Sequence, residues 1–339
     1  MKRCTIIAEA GVNHNGHIKL AVRLVEAAAK AGADYVKFQT YKSEQIVTAG
    51  TPKAAYQKSV TGEEETMLDM LKRLELPFES FRQLKEVCDK VGIGFLSTPS
   101  DIESAHFLFS LGLGAIKVSS GEITNLPLLE VIADVPCKVF LSTGMCEPEE
   151  IGAAIAVLQK KGKTAITLLQ CNTQYPTPMC DVNLRAMQTL KDMFCLPVGL
   201  SDHSLGIEVP VAAAAMGAAV VEKHFTLSRE LEGPDHQASL EPCELCEMVR
   251  AIRNVELALG DGVKRVTASE RENRELVRKS IVAAANIKKG ELFTTGNLAA
   301  KCPGTGLSPM RWYDVLGKTA SHDFVKDEMI VLLIGRDTQ

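Results

Sequence analysis

Apolar and polar residues alternate along the first three quarters of the chain as short strand-like runs separated by longer helix-like runs. Segments such as IKLAVRLVEAAAKAG (18–32) and PEEIGAAIAVLQKKG (148–162) have the spacing of amphipathic helices. Strand–helix pairs that repeat in this way predict a parallel sheet. The strand-like runs lie at residues 5–10, 34–40, 93–98, 115–120, 137–143, 165–171, 196–201 and 218–225.

Eight such runs favour closure into a (β/α)₈ barrel, the TIM barrel, over an open sheet. No G-x-G-x-x-G string follows the first run, as it would in a dinucleotide-binding open sheet. We assign residues 1–260 to the barrel, 261–279 to a polar linker and 280–339 to a small β-rich domain rich in Gly and Pro turns. In a TIM barrel the chemistry lies at the carboxyl ends of the strands.

Residues that suit an anion stand near the ends of the predicted strands. Lys37 and Lys117 each lie within a strand-like run, close to its carboxyl end. With backbone N–H groups, the two lysines and the nearby hydroxyls could form a phosphate cradle. The alternatives are turn capping for any single hydroxyl and a rim position for a single lysine. The hydroxyl residues at these positions are Ser97, Thr98, Ser119, Ser120, Ser142, Thr143 and Ser201.

Two histidines and two glutamates stand at other strand ends. His203 follows the seventh run and His224 lies at the end of the eighth. Neutral imidazoles suit a divalent transition metal, and two protein ligands leave coordination positions open for a substrate. Glu9 ends the first run and Glu122 follows the fourth, where a carboxylate is costly unless it is paired or used. Asp235 could bind sugar hydroxyls or cap the helix that follows it.

Composition restricts the function classes. The charged fraction is 24% and the net charge is −4, which indicates neither disorder nor a nucleic-acid surface. The start of the chain lacks a secretory apolar region, and no stretch has the length of a membrane span. The ten cysteines have no framework spacing, so we interpret them as reduced, buried thiols of a cytoplasmic protein. The pair Cys243 and Cys246 lies in a helical pattern and has no second pair to complete a zinc site.

Together these strings resemble the sialic acid synthase family, of the N-acetylneuraminate and legionaminate synthase type. That family condenses phosphoenolpyruvate with an N-acylated hexose. KSIVAAANIKKGELFTTGNL (279–298) resembles the family's C-terminal antifreeze-like SAF domain, and the resemblance spans nearly the whole chain. The matching barrel segments include IIAEAGVNHNG (6–16), GADYVKFQTYK (32–42), KVSSGEITNLP (117–127), QCNTQYPTP (170–178), VGLSDHSLG (198–206), EKHFTL (222–227) and GPDHQASLEP (233–242).

The resemblance implies a TIM barrel, a β-clip-like C-terminal domain, and a domain-swapped homodimer in which that domain covers the partner's active site. It implies a divalent ion on His203 and His224, typically manganese, with magnesium and cobalt as alternatives. For proton transfer, Glu122 is the first candidate and Glu9 the second. The implied contacts to phosphoenolpyruvate are Lys37, Thr98, Lys117, Ser120, Ser142, Thr173 and Ser201. The implied contacts to the sugar are Gln39, Glu122, Tyr175 and Asp235.

One departure bears on the acceptor sugar. Many bacterial members carry K-R-P-G in the C-terminal domain, and this chain has Cys302 at the arginine position. A thiol cannot supply the guanidinium fork that holds an N-acyl group. We expect an N-acetylneuraminate synthase, with N,N'-diacetyllegionaminate synthase as the alternative. A metal-dependent ketoacid aldolase or lyase and an inactive carbohydrate-binding homologue are the alternatives from other classes.

Overall fold

The computed structural model describes residues 3–62, 64–160, 162 and 165–332. They fall into two units, Met1–Asp261 and Gly262–Gln339. Within the described residues, no helix is both long and apolar enough to cross a membrane. All ten cysteines are free thiols, but only Cys4, Cys88, Cys137 and Cys171 are buried, so the prediction of burial holds for fewer than half of them.

The first unit contains eight parallel strands, and each overlaps one of the predicted apolar runs. Their order in the sheet is β3-β2-β1-β8-β7-β6-β5-β4, and β3 also lies against β4, so the strands go round a barrel. The predicted TIM barrel is confirmed. The strands are β1 (Thr5–Gly11), β2 (Tyr35–Thr40), β3 (Gly94–Pro99), β4 (Ala115–Val118), β5 (Lys138–Ser142), β6 (Ala165–Cys171), β7 (Val198–Asp202) and β8 (Val220–His224).

Helices follow the strands and bury their apolar faces against the outside of the barrel. Helix α1, for example, ends at Ala31, and the capping residue Gly32 has a left-handed φ of 84° that suits glycine. The helices are α1 (Ile18–Ala31), α2 (Ser43–Ile46), α3 (Ala55–Thr61), α4 (Met67–Leu74), α5 (Phe78–Val91), α6 (Ile102–Ser110), α7 (Leu126–Ala133), α8 (Pro148–Gln159), α9 (Ala186–Phe194), α10 (Glu208–Ala215) and α11 (Pro242–Leu259).

The two-residue period of the strands builds the barrel interior in layers. One apolar layer closes the inside of the barrel and is formed by Ile7, Leu96, Ala115, Phe140, Leu169 and Val220. Two residues further along the same strands, the inward side chains line a cavity instead. These second-layer residues are Glu9, Thr98, Lys117, Ser142, Cys171 and Glu222.

Strand β4 is shorter than the sequence indicates. The pattern predicts a strand through Ser120, but β4 ends at Val118, and residues Ser120–Glu122 form a 3₁₀ turn. The turn buries Ser120 at the cavity and leaves Glu122 half-buried beside it. The 3₁₀ turn therefore gives Ser120 and Glu122 different surroundings.

The second unit has a small core of its own. Strands β9 (Ser280–Ala283) and β10 (Leu298–Lys301) pair antiparallel over a cluster that includes Ile281 and Phe293. The region 262–279 contains α12 (Arg271–Val277), which has no buried residue, and α13 (Trp312–Val315) follows β10. Cys302 is exposed, and its thiol donates a hydrogen bond to the Val277 carbonyl at 3.1 Å.

Candidate active site

A cavity of about 180 Å³ opens among the carboxyl ends of the barrel strands. It lies where a TIM barrel carries its chemistry. Twelve of the fourteen predicted site residues line it. They are Glu9, Lys37, Gln39, Thr98, Lys117, Ser120, Ser142, Thr173, Tyr175, Ser201, His203 and His224. Glu122 and Asp235 are not among the lining residues.

Four buried ionisable residues form an inner charge cluster on the floor of this cavity: Glu9, Lys37, Lys117 and Glu222. The Lys37 ammonium lies 2.9 Å from a Glu9 oxygen and 3.5 Å from a Glu222 oxygen. The Lys117 ammonium lies 3.6 Å from Glu222. All four residues are at most 3% exposed, so little solvent screens these interactions.

The four charges of the inner cluster are not equivalent. Burial raises the pKa of Glu9 to about 7, although Lys37 acts against this increase. Burial also acts to raise the pKa of Glu222, but Lys117 and Lys37 outweigh it and hold the pKa below its ordinary value. Burial lowers the pKa of Lys117, whereas for Lys37 the two carboxylates outweigh burial and raise it. Lys37 and Glu222 are thus the firmly charged pair, and Glu9 can change protonation near neutral pH.

Several polar atoms at the cavity are buried without a hydrogen-bond partner among the described residues. They include Oε2 of Glu9, Oε2 of Glu222, Oγ of Ser142 and Nδ1 of His224. Buried polar atoms are normally paired, because an unpaired one costs free energy. Four such atoms around one cavity therefore indicate a polar ligand that supplies the missing contacts.

Hydroxyl groups surround the inner cluster. The Thr98 hydroxyl accepts a hydrogen bond from Lys37 at 3.1 Å, and the Ser201 hydroxyl donates one to Glu222 at 3.1 Å. The Ser120 hydroxyl accepts one from the Gly144 N–H at 2.9 Å. A Cβ atom at Gly144 would come within 3.0 Å of that hydroxyl and 2.9 Å of Thr173, so glycine allows the close approach.

His203 and His224 lie side by side, with ring centroids 5.3 Å apart. Nδ1 of His203 lies 2.5 Å from the Asn172 carbonyl, which can only accept, so Nδ1 carries a proton. The Tyr175 hydroxyl lies 2.9 Å from Nε2 of His203. Burial, together with His203, lowers the pKa of His224 well below its ordinary value, so His224 is neutral. Burial acts to lower the pKa of His203, but Cys171 and the Asn172 carbonyl outweigh it and raise that pKa, so a metal ion would have to displace a proton there. Two imidazoles side by side at one cavity are suited to a divalent ion once both are neutral.

The predicted two-histidine site does not provide a complete set of protein ligands for a metal ion. In the part of the chain that the structure describes, no group of three or more His, Cys, Asp or Glu side chains is arranged to hold a metal ion. Water and substrate would have to complete the coordination of an ion on the two histidines. Cys243 and Cys246 are exposed on α11, in the helix that the sequence predicts for them.

The two predicted residues outside the lining differ in their surroundings. Glu122 is half-buried, and its Oε2 accepts a hydrogen bond from the Asn125 amide at 2.6 Å. Burial raises its pKa. Asp235 is buried and makes no side-chain cap to the 3₁₀ turn that follows it, so the capping alternative is not observed. Burial raises the pKa of Asp235 to about 6, with His203 acting against the increase.

The sequence analysis missed Glu222 and Cys171. Glu222 is buried between two lysines, and Cys171 lines the cavity with its sulfur 3.9 Å from Nδ1 of His203. The signal for Glu222 was present, because His224 two residues later faces the cavity and the strand period puts both on one side. Cys171 is the last residue of β6, and it too lines the cavity.

Comparison with known proteins gives the site its context. The NeuB family model matches residues 24–264, and the SAF domain model matches residues 278–332. The chain is 50% identical to N,N'-diacetyllegionaminic acid synthase of Campylobacter jejuni, covering 97% of this chain and 99% of the relative. It is 45% identical to the synthase of the same name from Legionella pneumophila, covering 94% and 90%.

A solved structure agrees with this assignment. The crystal structure of N-acetylneuraminic acid (sialic acid) synthetase from Leptospira borgpetersenii is similar, with a TM-score of 0.70 and 38% identity. The match covers 80% of this chain and 90% of that chain. The chain therefore belongs to the NeuB family, whose members are nonulosonic acid synthases, enzymes that condense phosphoenolpyruvate with a sugar.

Proposed function

We propose that this protein is an N,N'-diacetyllegionaminic acid synthase, which condenses phosphoenolpyruvate with a 2,4-diacetamido-trideoxymannose. The observation that carries the proposal is the 50% identity to the Campylobacter jejuni synthase over almost all of both chains. Identity to the solved sialic acid synthetase is 38%. The relatives therefore favour the 2,4-diacetamido-trideoxymannose as the acceptor. N-acetylmannosamine would be the acceptor of the N-acetylneuraminate synthase that the sequence analysis expects first.

The inner cluster and its hydroxyls are the proposed site for phosphoenolpyruvate. Lys37 and Lys117 supply two buried cations, and the Ser142 hydroxyl has no other partner among the described residues. An anion in this place would receive charge-assisted hydrogen bonds in a medium of low dielectric constant. The full proposed set is Lys37, Thr98, Lys117, Ser120, Ser142, Thr173 and Ser201. Such contacts would hold the enol carbon in one orientation.

We assign the metal site to His203 and His224. A divalent ion bound there, manganese in our proposal, would polarise the aldehyde oxygen of the open-chain sugar. The hydrogen bond from His203 to the Asn172 carbonyl supports the assignment, because it fixes the ring and leaves Nε2 as the nitrogen that would bind the ion once the ring is neutral. Tyr175 would then turn its hydroxyl from His203 to the sugar.

The condensation joins C3 of phosphoenolpyruvate to the aldehyde carbon, water adds at C2, and phosphate leaves from the tetrahedral intermediate. Glu9 is our first candidate for taking the proton from that water and returning one to the new hydroxyl. Its Oε2 has no partner among the described residues, and its pKa of about 7 suits both directions of transfer. Glu122 becomes the second candidate, because Asn125 occupies its Oε2 and it does not line the cavity.

The sugar is proposed to lie above the phosphoenolpyruvate site. Gln39 and Tyr175 line the cavity nearer its mouth and are only partly buried. Asp235 carries a buried carboxyl group close enough to His203 for its pKa to respond to that residue, and it would accept hydrogen bonds from sugar hydroxyls. Glu122, beside the cavity, could accept another from an amide of the acceptor.

We also propose the domain-swapped homodimer implied by the resemblance. Five consecutive loops at the carboxyl ends of the barrel strands each expose one large apolar side chain, and such a set on one face suits a covering surface. The second unit in turn exposes Met310 and Tyr313 almost fully, at 91% and 87%. The exposed barrel residues are Ile102, Leu126, Met145, Met179 and Leu205.

A phosphate-release assay across acceptors tests the proposal. The purified full-length protein with manganese and phosphoenolpyruvate should release phosphate only when the sugar is present. We expect kcat/KM to be about tenfold or more higher with the 2,4-diacetamido-trideoxymannose than with N-acetylmannosamine, since unpaired polar groups penalise the wrong acceptor. A preference for N-acetylmannosamine would replace the proposal with sialic acid synthesis. Release without a sugar would indicate a lyase, and binding without turnover an inactive homologue.

A further inference from the structure

Behind the proposed metal site, on the outer face of the barrel strands, lies a second buried ion pair. Glu222 and His224 face the cavity, so Lys223 between them points outward. Asp202, the outward residue at the end of β7, is the direct cross-strand partner of Lys223. Lys223 is 1% exposed and Asp202 is 3% exposed.

The contacts of this pair hold the chain on both sides of His203. The Lys223 ammonium lies 2.6 Å from Oδ2 of Asp202, the residue before His203, and also donates to the carbonyl of Ser204, the residue after it. Oδ1 of Asp202 accepts a hydrogen bond from the Ser204 N–H at 3.0 Å. Because Lys223 is itself the neighbour of His224, a single side chain links the backbones that carry both histidines.

The backbone ladder between β7 and β8 ends at Asp202 and Lys223, and the Lys223 side chain extends the connection beyond it to Ser204. The His203 carbonyl accepts from the Thr177 N–H at 2.9 Å, and its ring is held by the Asn172 carbonyl, both from the segment after β6. The His224 carbonyl accepts from the Leu240 N–H at 2.9 Å. Each histidine is thus anchored to a different neighbour, and Lys223 joins the two anchored parts.

We propose that Lys223 and Asp202 are positioning residues that set the spacing of His203 and His224 for metal binding. The inference rests on the metal assignment proposed above. A buried ion pair is a weak source of stability, since apolar residues of similar volume usually serve as well, but it fixes direction and distance. Metal ligands need that precision, and groups behind the ligands commonly control metal affinity.

The test is a charge-free version of the pair in the full-length protein. Asp202→Asn combined with Lys223→Met removes both charges together and keeps the volumes, so that no unpaired charge is left buried. We expect the manganese dissociation constant, measured by titration calorimetry on metal-free protein, to rise about 10- to 100-fold. Phosphoenolpyruvate affinity without metal should stay within about threefold, because the inner cluster is untouched.

A partly buried ion pair on another side of the barrel supplies the control. Arg253 on α11 lies 2.8 Å from Asp34, which precedes the amino end of β2, away from the cavity. Asp34→Asn with Arg253→Met should lower the melting temperature and leave the manganese dissociation constant unchanged. If both double variants weaken manganese equally, metal affinity follows general stability and the proposal is wrong.

Two further results would decide the remaining cases. A folded Asp202→Asn, Lys223→Met protein that binds manganese as tightly as the wild type overturns the positioning role. If that double variant does not fold, Lys223→Arg keeps the charge but changes the reach, and we expect it to weaken manganese binding; wild-type affinity there also overturns the role. Wild-type protein that binds no divalent ion would instead contradict the metal assignment.

Discussion

The two faces of strands β7 and β8 carry two buried charge clusters with opposite properties. On the inner face, Glu222 joins Glu9, Lys37 and Lys117, and each of the two carboxylates keeps one oxygen without a partner in the described part of the chain. On the outer face, the ammonium of Lys223 bonds both a carboxylate and a carbonyl. One cluster borders a cavity, and the other is enclosed by the fold.

This difference indicates that the inner cluster binds a ligand and that the outer ion pair supports the backbone behind it. A buried polar group without a partner is costly, and a cluster of them at a cavity indicates that a ligand completes it. A buried ion pair that also bonds a carbonyl can instead hold the backbone in place. The same alternation of strand residues therefore produces a substrate site on one face and its support on the other.

The largest expected effect tests the inner face at its metal ligands. His224→Ala should lower kcat on the order of 10³-fold, because loss of an imidazole ligand removes the ion that would polarise the acceptor. Manganese titration and steady-state kinetics measure the change. His106→Ala, at an exposed position on α6, is the control and should behave as wild type. Normal turnover by His224→Ala in chelator-treated buffer would contradict the assignment.

A smaller effect distinguishes the two carboxylates. Glu9→Gln should lower kcat about 100-fold, because proton transfer is lost while the amide keeps the shape of the side chain. The KM for phosphoenolpyruvate should change much less. Glu122→Gln is the matched comparison, and we expect its effect mainly in the KM for the sugar. The reverse pattern would restore Glu122 as the first candidate, as the sequence analysis has it.

The smallest effect concerns a buried histidine outside both clusters. His14 accepts a hydrogen bond from the Gly16 N–H at 3.1 Å, its Nε2 has no partner among the described residues, and burial lowers its pKa to about 3. Below its ordinary pKa of about 6.5 the unfolded chain takes up a proton that folded His14 refuses. The free energy of unfolding should therefore fall as the pH drops from about 6.5 towards 3.

Urea unfolding at pH 7 and pH 5 measures this effect. For His14 alone the loss is about 2 kcal/mol over that interval, from about 1.4 kcal/mol per unit of pKa difference. His14→Gln should lose correspondingly less stability between the two pH values than the wild type. His17→Gln, at an exposed position in the same loop, should keep the wild-type difference. Equal pH dependence in all three proteins would show that His14 is protonated in the fold.

The sequence alone determined the architecture and most of the site. Eight apolar runs with helical segments between them specify a TIM barrel, because strand and helix periods are local properties of the chain. The same locality explains why twelve of fourteen predicted residues line one cavity: the carboxyl ends of parallel strands must meet at one end of a barrel. Thr173, Gln39 and Tyr175 were predicted in a different way, from the motifs that resemble a known family rather than from the strand period.

Only the tertiary structure decided which charges meet and which remain unpaired. Glu222 pairs with Lys37 from β2 and Lys117 from β4, and these residues are brought together only by closure of the barrel. Glu122 lies in the 3₁₀ turn Ser120–Glu122 and is not among the residues that line the cavity, although the sequence analysis predicts it as a site residue. The link from Lys223 to both sides of His203 likewise depends on the register of β7 and β8. A strand period specifies the face of each residue, whereas its partner depends on long-range packing.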